Sequence, residues 1–264
     1  MNDKPLELAV TSLGPGSSEP SSGIAQKVLF IHGFGADKQG WAGNAPALFD
    51  VAETLAVDLP GHGVSVSVET TGDLQSIADQ VLHCLNLSGH APCHIVGHSL
   101  GAAVALLCTA AKPDYVLSLS LIAPAGLGGG VNTEFTSSFV ALDNEKTAFE
   151  LLQTLVSNPR LIARPLAGLL LANLDKPGAR QALDKIANGL NDSKPLVGSA
   201  MKQVLKKGVR CQVIWGLQDI INPPLKSDEA DFGGNWIWLD DCGHLPHVEH
   251  RAVVNDAILK FLNV

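Results

Sequence analysis

The chain has 264 residues, of which 46% are apolar and 17% charged. This composition excludes a disordered chain and is typical of a globular protein. The length suits one domain that carries an insertion better than two equal domains. The formal net charge is −8 and the 18 Lys and Arg residues are scattered, which argues against nucleic acid as a partner.

The cysteines and the N-terminus bear on the cellular compartment. Residues 1–12 contain no basic stretch followed by an apolar run, and the longest apolar stretch, 102–111, is too short to span a bilayer. We therefore expect a soluble cytoplasmic protein without membrane contact. The five cysteines form no C-x-x-C pair and are interpreted as free thiols, Cys242 being a minor candidate for chemistry because it lies near His244. They are Cys84, Cys93, Cys108, Cys211 and Cys242.

Short apolar runs bounded by turn residues predict the strands. A first strand is expected near 6–11, followed by a Gly-, Pro- and Ser-rich loop at 14–23. The later runs are continuous rather than alternating, as in strands that are covered on both faces. They are residues 28–31, 54–57, 94–96, 116–122, 211–215 and 236–239.

Helical patterns lie between these runs, at 73–87, 100–111 and 252–262. The alternation predicts an α/β fold, with a mostly parallel sheet and helices on both faces. Residues 125–205 contain no strand pattern, only helical segments interrupted by prolines. We predict that 125–205 is a helical lid over one end of the sheet and that 1–124 and 206–264 form the core.

One pentapeptide, Gly97-His98-Ser99-Leu100-Gly101, has the form G-x-S-x-G, with a strand pattern before it and a helix pattern after it. A serine on so sharp a turn needs neighbours without side chains, and the turn presents its Oγ to a substrate at a helix N-terminus. We predict that Ser99 is a nucleophile. The alternative is an ordinary Gly/Ser turn.

A nucleophilic serine that attacks a carbonyl needs two N–H donors for the oxyanion. The Leu100 N–H follows the nucleophile, and the Phe34 N–H lies in a glycine-rich loop that leaves the strand at 28–31. We predict these two groups as the oxyanion hole. His32 is a candidate base in the same loop, but a local hydrogen bond that holds the loop is the favoured interpretation.

The base and its orienting acid are predicted by their order along the chain, which runs nucleophile, acid, histidine in this type of site. His244 lies between the last strand and the last helix patterns, and Asp219 lies just after the preceding strand. The alternatives are an ordinary loop carboxylate for Asp219 and an ordinary surface histidine for His244. Asp240 and Asp241 compete weakly because they are too close to His244 in sequence.

Other polar clusters are interpreted structurally. His247, His250 and Glu249 near His244 do not reproduce the H-E-x-x-H motif, so we expect no metal and no cofactor and interpret them as solvated residues at the start of a helix. Residues 58–63, Asp-Leu-Pro-Gly-His-Gly, are interpreted as a fixed turn, with a catalytic role for Asp58 or His62 as the minor alternative.

The motifs HGFG, DLPGHG, GHSLG, GLQD and CGH together resemble the α/β-hydrolase superfamily from about Val28 to Val264. Residues 123–188, together with HGFG followed by Asp37 and Trp41, resemble more narrowly the hydrolase-like domain of the dihydrolipoyl acyltransferase in bacterial acetoin-cleaving complexes. The resemblance implies the triad Ser99, Asp219 and His244 and a small-molecule acyl or related carbonyl substrate.

Three functions remain in view. The leading hypothesis is a serine hydrolase that cleaves a small-molecule ester through an acyl-enzyme. A second is acyl transfer to a thiol, coenzyme A or dihydrolipoamide, in acetoin-type metabolism, and a third is a noncatalytic binding protein. The 27 residues before the first core strand leave no room for a lipoyl domain, which argues against association with an acetoin-type dehydrogenase complex. Homo-oligomerisation is left open.

Overall fold

A computed structural model of the protein describes residues 7–14 and 26–262, whose strands form a seven-stranded sheet in the order β1-β3-β2-β4-β5-β6-β7. Only β1 runs antiparallel to its neighbour, so the predicted mostly parallel sheet is confirmed. The strands are β1 (Val10–Ser12), β2 (Lys27–Ile31), β3 (Glu53–Val57), β4 (Cys93–His98), β5 (Val116–Ile122), β6 (Arg210–Gly216) and β7 (Asn235–Leu239).

The first strand differs from its prediction at 6–11, because pairing with β3 begins only at Val10 and extends to Ser12. Residue 6 lies outside the described residues, as does the predicted loop at 14–23 apart from Gly14. The six later strands match their predicted positions to within two residues at either end. Their sequences are apolar throughout because both faces of the sheet are covered.

Helices follow most of the strands, and α2 has the predicted bounds. Asp73 caps the start of helix α1, because its side chain accepts a hydrogen bond from Ser76 N at 2.7 Å. Gly89, in the left-handed conformation, caps the end of this helix. The helices are α1 (Leu74–Ser88), α2 (Leu100–Ala111), α3 (Thr133–Ala141), α4 (Glu145–Gln153), α5 (Pro165–Leu174), α6 (Ala179–Asn191), α7 (Ser193–Lys206), α8 (Ser227–Phe232), α9 (Pro246–Glu249) and α10 (Arg251–Phe261). The short helices α8 and α9 are not predicted from the sequence.

Two apolar clusters cover the two faces of the sheet. Leu29 and Ile31 of β2 belong to one cluster, with α1, α2 and α7, whereas Val28 and Phe30 belong to the other, with α10. Successive residues of a strand point to opposite faces, so a run that is apolar at every position fills both clusters. No helix in the described part of the chain is long and apolar enough to cross a membrane.

The segment between β5 and β6 is helical throughout its regular structure, as predicted. A third apolar cluster, which includes Phe135, Phe139 and Leu170, joins α3 to α6. Helix α7 packs against α2, and its Val197 and Met201 belong to the cluster that contains α1 and α2, to which α6 also contributes Ile186 and Leu190. The segment predicted as a lid therefore ends in a helix that packs with α2 on one face of the sheet. The division into core and lid remains a prediction.

Candidate active site

Ser99 lies between the end of β4 and the start of α2, on the turn predicted for it. Its backbone has φ 52° and ψ −115°, a strained conformation for a residue with a side chain. The flanking glycines make the turn sterically feasible. A Cβ on Gly97 would lie 2.5 Å from Gly101 O, and one on Gly101 would overlap Ile31 O.

Asp219 and His244 lie in direct contact and are both buried. His244 Nδ1 donates to Asp219 Oδ2 at 2.8 Å, and Trp215 Nε1 donates to the same oxygen at 3.1 Å. Asp219 Oδ1 accepts from the backbone N–H groups of Ile221 and Asn222 at 2.8 and 2.9 Å. Four donors therefore orient the carboxylate, and because a carboxylate only accepts, Nδ1 of His244 carries a proton.

The competing carboxylates lie elsewhere. Asp241 Oδ1 accepts from Gln218 Nε2 at 3.1 Å on the protein surface, and Asp240 has no hydrogen bond to His244 among the described residues. Both are exposed. Asp219 is thus the carboxylate that the fold brings to His244.

His244 is also fixed through its own backbone. Its N–H donates to Leu155 O at 2.8 Å, in the connection between α4 and α5, and its carbonyl accepts from His98 Nε2 at 2.9 Å. Because His98 directly precedes Ser99, its side chain connects the turn that contains Ser99 to the loop that contains His244. Burial lowers the pKa of His98 well below its usual value, and the ring acts as a neutral donor.

Ser99 and His244 line the same cavity, whose volume is about 420 Å³. Among the described residues, the hydrogen-bond partner of Ser99 Oγ is Asn222 Nδ2, at 3.4 Å, rather than His244. Asn222 Nδ2 also donates to Ala123 O at 2.9 Å. Sequence reasoning missed Asn222, whose only signal is an amide side chain three residues after the predicted acid.

Phe34 and Leu100 supply the N–H groups that we predicted as the oxyanion hole. In residues 26–262 neither N–H donates a hydrogen bond to another protein group. The loop approaches the nucleophile closely, because a Cβ placed on Gly33 would lie 3.3 Å from Ser99 Cβ. Both donors are therefore unoccupied beside Ser99, although their role remains a prediction.

Two buried histidines hold the loop that contains Phe34. His32 Nδ1 donates to Gly33 O at 2.8 Å, and its Nε2 accepts from Leu59 N at 2.9 Å. His62 Nε2 accepts from Gly35 N at 3.0 Å. Burial lowers the pKa of His32, and it lowers the pKa of His62 to about 3, so both rings are neutral. His32 thus has the local role that the sequence favoured.

The interpretation as solvated residues is wrong for His247, which is buried because its ring packs against Trp41 and His98. Glu249 and His250 have separate hydrogen-bond partners. Glu249 accepts from Gly243 N at 2.8 Å, and His250 Nε2 donates to Asp241 O at 3.2 Å. In residues 7–14 and 26–262, no three His, Cys, Asp or Glu side chains are grouped as metal ligands. Cys242 is buried, and burial raises the pKa of its thiol, so the thiol stays protonated.

The cavity wall is mostly apolar. Phe34 and Phe139 meet there with ring centroids 5.3 Å apart, and leucine side chains from α4 and α5 complete the wall. No Lys or Arg of the described residues lines the cavity. A cavity of this kind suits a neutral, largely apolar ligand, because a buried anion would lack a counter-charge.

Comparison with known proteins assigns the family. The sequence profile described as "Alpha/beta hydrolase family" matches residues 28–257. The chain belongs to this family. The resemblance identified from the motifs is therefore confirmed, and a hydrolase is the class of protein that the family supports.

Two relatives extend this family assignment. The chain is 32% identical over 240 residues to the dihydrolipoyllysine-residue acetyltransferase component of the acetoin cleaving system of Cupriavidus necator, covering 91% of this chain and 64% of that protein. It is 27% identical over 268 residues to the monoacylglycerol lipase ABHD6 of Mus musculus, covering 91% of this chain and 76% of that protein. The chain thus spans less than two-thirds of the acetoin-system relative.

Solved structures of other members share the fold. The enol-lactonase of Burkholderia xenovorans has a TM-score of 0.78 at 17% identity, covering 97% of this chain and 96% of that chain. A meta-cleavage product hydrolase of Pseudomonas fluorescens has a TM-score of 0.77 at 19% identity, covering 97% and 94%. At these identities the likeness concerns the fold alone, and it confirms the predicted α/β-hydrolase fold.

Proposed function

We propose that the protein is a serine hydrolase that cleaves a neutral, largely apolar ester or related carbonyl compound. The observation that carries the proposal is the combination of a strained Ser99 on one cavity wall with a His244–Asp219 hydrogen bond of 2.8 Å at the same cavity. Strain of this kind persists where surrounding structure imposes it, and it is typical of functional sites.

In the acylation step, His244 Nε2 removes the proton of Ser99 Oγ as that oxygen attacks the substrate carbonyl. The N–H groups of Phe34 and Leu100 stabilise the tetrahedral oxyanion. Asp219 stabilises the imidazolium that forms. Collapse of the intermediate breaks the ester bond, and the leaving alcohol takes its proton from His244.

In the deacylation step, a water molecule gives a proton to His244 and attacks the acyl carbon. The second tetrahedral intermediate expels Ser99 Oγ, which regains its proton from His244, and the carboxylic acid leaves. Asn222 Nδ2 contributes a hydrogen bond to the departing oxygen, because it lies 3.4 Å from Oγ in the resting site.

The test is labelling by a fluorophosphonate probe, together with hydrolysis of short and medium acyl esters. Ser99→Ala and His244→Ala should abolish labelling and reduce kcat by about 10⁴-fold or more, as removal of such residues does elsewhere. Exposed residues provide the matched controls Ser138→Ala and His83→Ala, which should keep wild-type activity. An unlabelled wild-type protein that is inert towards every ester would overturn the proposal.

Acyl transfer to a thiol is the second candidate, favoured by the likeness to the acetoin-system acetyltransferase component. The absence of Lys and Arg from the described cavity wall disfavours the phosphates of coenzyme A, which leaves dihydrolipoamide as the better acceptor. Added dihydrolipoamide should then accelerate deacylation and yield a thioester. If the acid is the only product at saturating thiol, hydrolysis is the reaction.

A further inference from the structure

His247 is a polar side chain that the proposed mechanism does not use. It is 6% exposed and lines the same cavity as Ser99 and His244. Its ring makes no hydrogen bond within the described part of the chain, and its Nδ1 is buried without a partner. Because buried polar groups are nearly always paired in folded proteins, this imidazole calls for a partner that the protein itself does not supply.

The ring is held in place from both sides. Trp41 packs against it with ring centroids 4.8 Å apart, and His98 packs against it at 4.6 Å. Its backbone carbonyl accepts a hydrogen bond from Asn44 Nδ2 at 3.1 Å. Trp41 Nε1 is likewise buried without a partner. Two ring nitrogens without hydrogen-bond partners, Trp41 Nε1 and His247 Nδ1, therefore belong to adjacent side chains of the cavity wall.

The chemistry of the ring limits what it can bind. Burial lowers the pKa of His247 to about 3, so the imidazole is neutral near pH 7 and offers one N–H donor and one lone pair. A hydroxyl group suits either ring nitrogen, because it can accept from the N–H or donate to the lone pair. A carboxylate or phosphate does not, since no Lys or Arg of the described residues lines the cavity.

The position of His247 indicates which part of a substrate would reach it. His98 lies between the two other rings, 4.8 Å from His244 and 4.6 Å from His247 by centroid. In the proposed reaction His244 gives a proton to the leaving oxygen, so the leaving alcohol lies on the His244 side of Ser99. His247 lies three residues after His244, in α9, and lines the same cavity, so we assign it to the leaving-group side.

We propose that His247 is a specificity-determining residue that hydrogen-bonds a free hydroxyl group on the leaving alcohol, so that hydroxyalkyl esters are preferred over alkyl esters. This inference rests on the proposed serine-hydrolase function of the same cavity. The substrates it favours are neutral monoesters of diols or polyols.

The test compares two esters that differ in one group, 2-hydroxyethyl butyrate and propyl butyrate. Wild-type kcat/KM should favour the hydroxyl ester by about tenfold, the effect of one additional neutral hydrogen bond. His247→Leu should bring the ratio of the two kcat/KM values close to one. His247→Gln, which keeps a donor and an acceptor, should retain part of the preference.

His83→Leu is the matched control, because His83 is exposed, and it should keep the wild-type ratio. Fluorophosphonate labelling of each variant shows whether it is folded and active. If labelled wild-type enzyme hydrolyses both esters equally, or if His247→Leu keeps the preference, His247 pairs with an ordered water only and the inference is wrong. If the wild type is neither labelled nor active on either ester, the proposed function fails and this inference fails with it.

Discussion

At the scale of single residues, Asn222 connects the predicted acid to the predicted nucleophile. Its backbone N–H donates to Asp219 Oδ1 at 2.9 Å, and its side chain donates to Ser99 Oγ at 3.4 Å. The same amide nitrogen holds the carbonyl of Ala123, which has a positive φ of 45°. One buried amide therefore positions the serine hydroxyl and stabilises a strained turn after β5.

Asn222→Leu should lower the rate of acylation by about three- to tenfold, because one hydrogen bond to the serine oxygen is lost. The carbonyl of Ala123 would also lose its partner, so the free energy of unfolding should fall by about 1–3 kcal/mol. Stopped-flow acylation with a nitrophenyl ester and chemical denaturation measure the two effects separately. Asn191→Leu, at an exposed position, is the control, and a wild-type acylation rate in Asn222→Leu would contradict the positioning role.

At the scale of elements, the connection between α4 and α5 is hydrogen-bonded directly to the loop that contains His244. Leu155 O accepts from His244 N at 2.8 Å. Glu249 Oε2 accepts from the N–H and the hydroxyl of Ser157 at 2.7 and 2.8 Å, and its Oε1 accepts from Gly243 N at 2.8 Å. Glu249 thus fixes the position of His244 relative to the connection between α4 and α5.

Glu249→Gln should weaken this connection, because a Gln side chain presents an NH₂ group to one of the N–H donors that the carboxylate satisfies. Hydrogen bonds to charged groups contribute about 1.5–3 kcal/mol, so the free energy of unfolding should fall by about 2 kcal/mol. We also expect kcat to fall by about tenfold with KM little changed, because the displaced group is His244 rather than the substrate wall.

Denaturant unfolding and steady-state kinetics measure these changes. Glu150→Gln, on the exposed face of α4, is the matched control and should leave both quantities at wild-type values. A Glu249→Gln variant with unchanged kcat would show that Glu249 stabilises the loop without positioning His244.

At the scale of the whole molecule, the described residues around the cavity include four buried histidines besides His244, namely His32, His62, His98 and His247. Burial lowers the pKa of each below 6.5, for His62 and His247 to about 3. At pH values between the pKa of a histidine in the folded protein and its pKa in the unfolded chain, the unfolded chain binds a proton that the folded protein does not. The free energy of unfolding therefore falls as pH decreases below 6.5.

Each such histidine contributes up to about 1.4 kcal/mol per pH unit within its window. Urea denaturation between pH 8 and pH 4 should give constant stability above about pH 7 and a progressive loss below pH 6.5. His62→Gln should reduce the slope of this loss by about one proton, whereas the exposed His83→Gln should leave it unchanged. Equal slopes in His62→Gln and the wild type would contradict a neutral His62 in the folded protein.

The sequence alone predicted the α/β fold, because continuous apolar runs and helical patterns are each recognised within a short stretch of neighbouring residues. It also predicted Ser99, since Gly97 is needed for the close approach of β4 to α2 and Gly101 for the close approach of α2 to the end of β2. Chain order pointed to Asp219 and His244, and the tertiary structure brings this pair to 2.8 Å. These features depend on local patterns or on a fixed order of elements.

The tertiary structure alone decided which other residues surround that pair. Asn222 reaches Ser99 across 123 positions of sequence, and the His247 ring lies between Trp41 and His98 from two other parts of the chain. The attachment of α7 to α2 belongs with these contacts. No local pattern specifies which distant side chains meet, because that depends on how whole elements pack over the sheet.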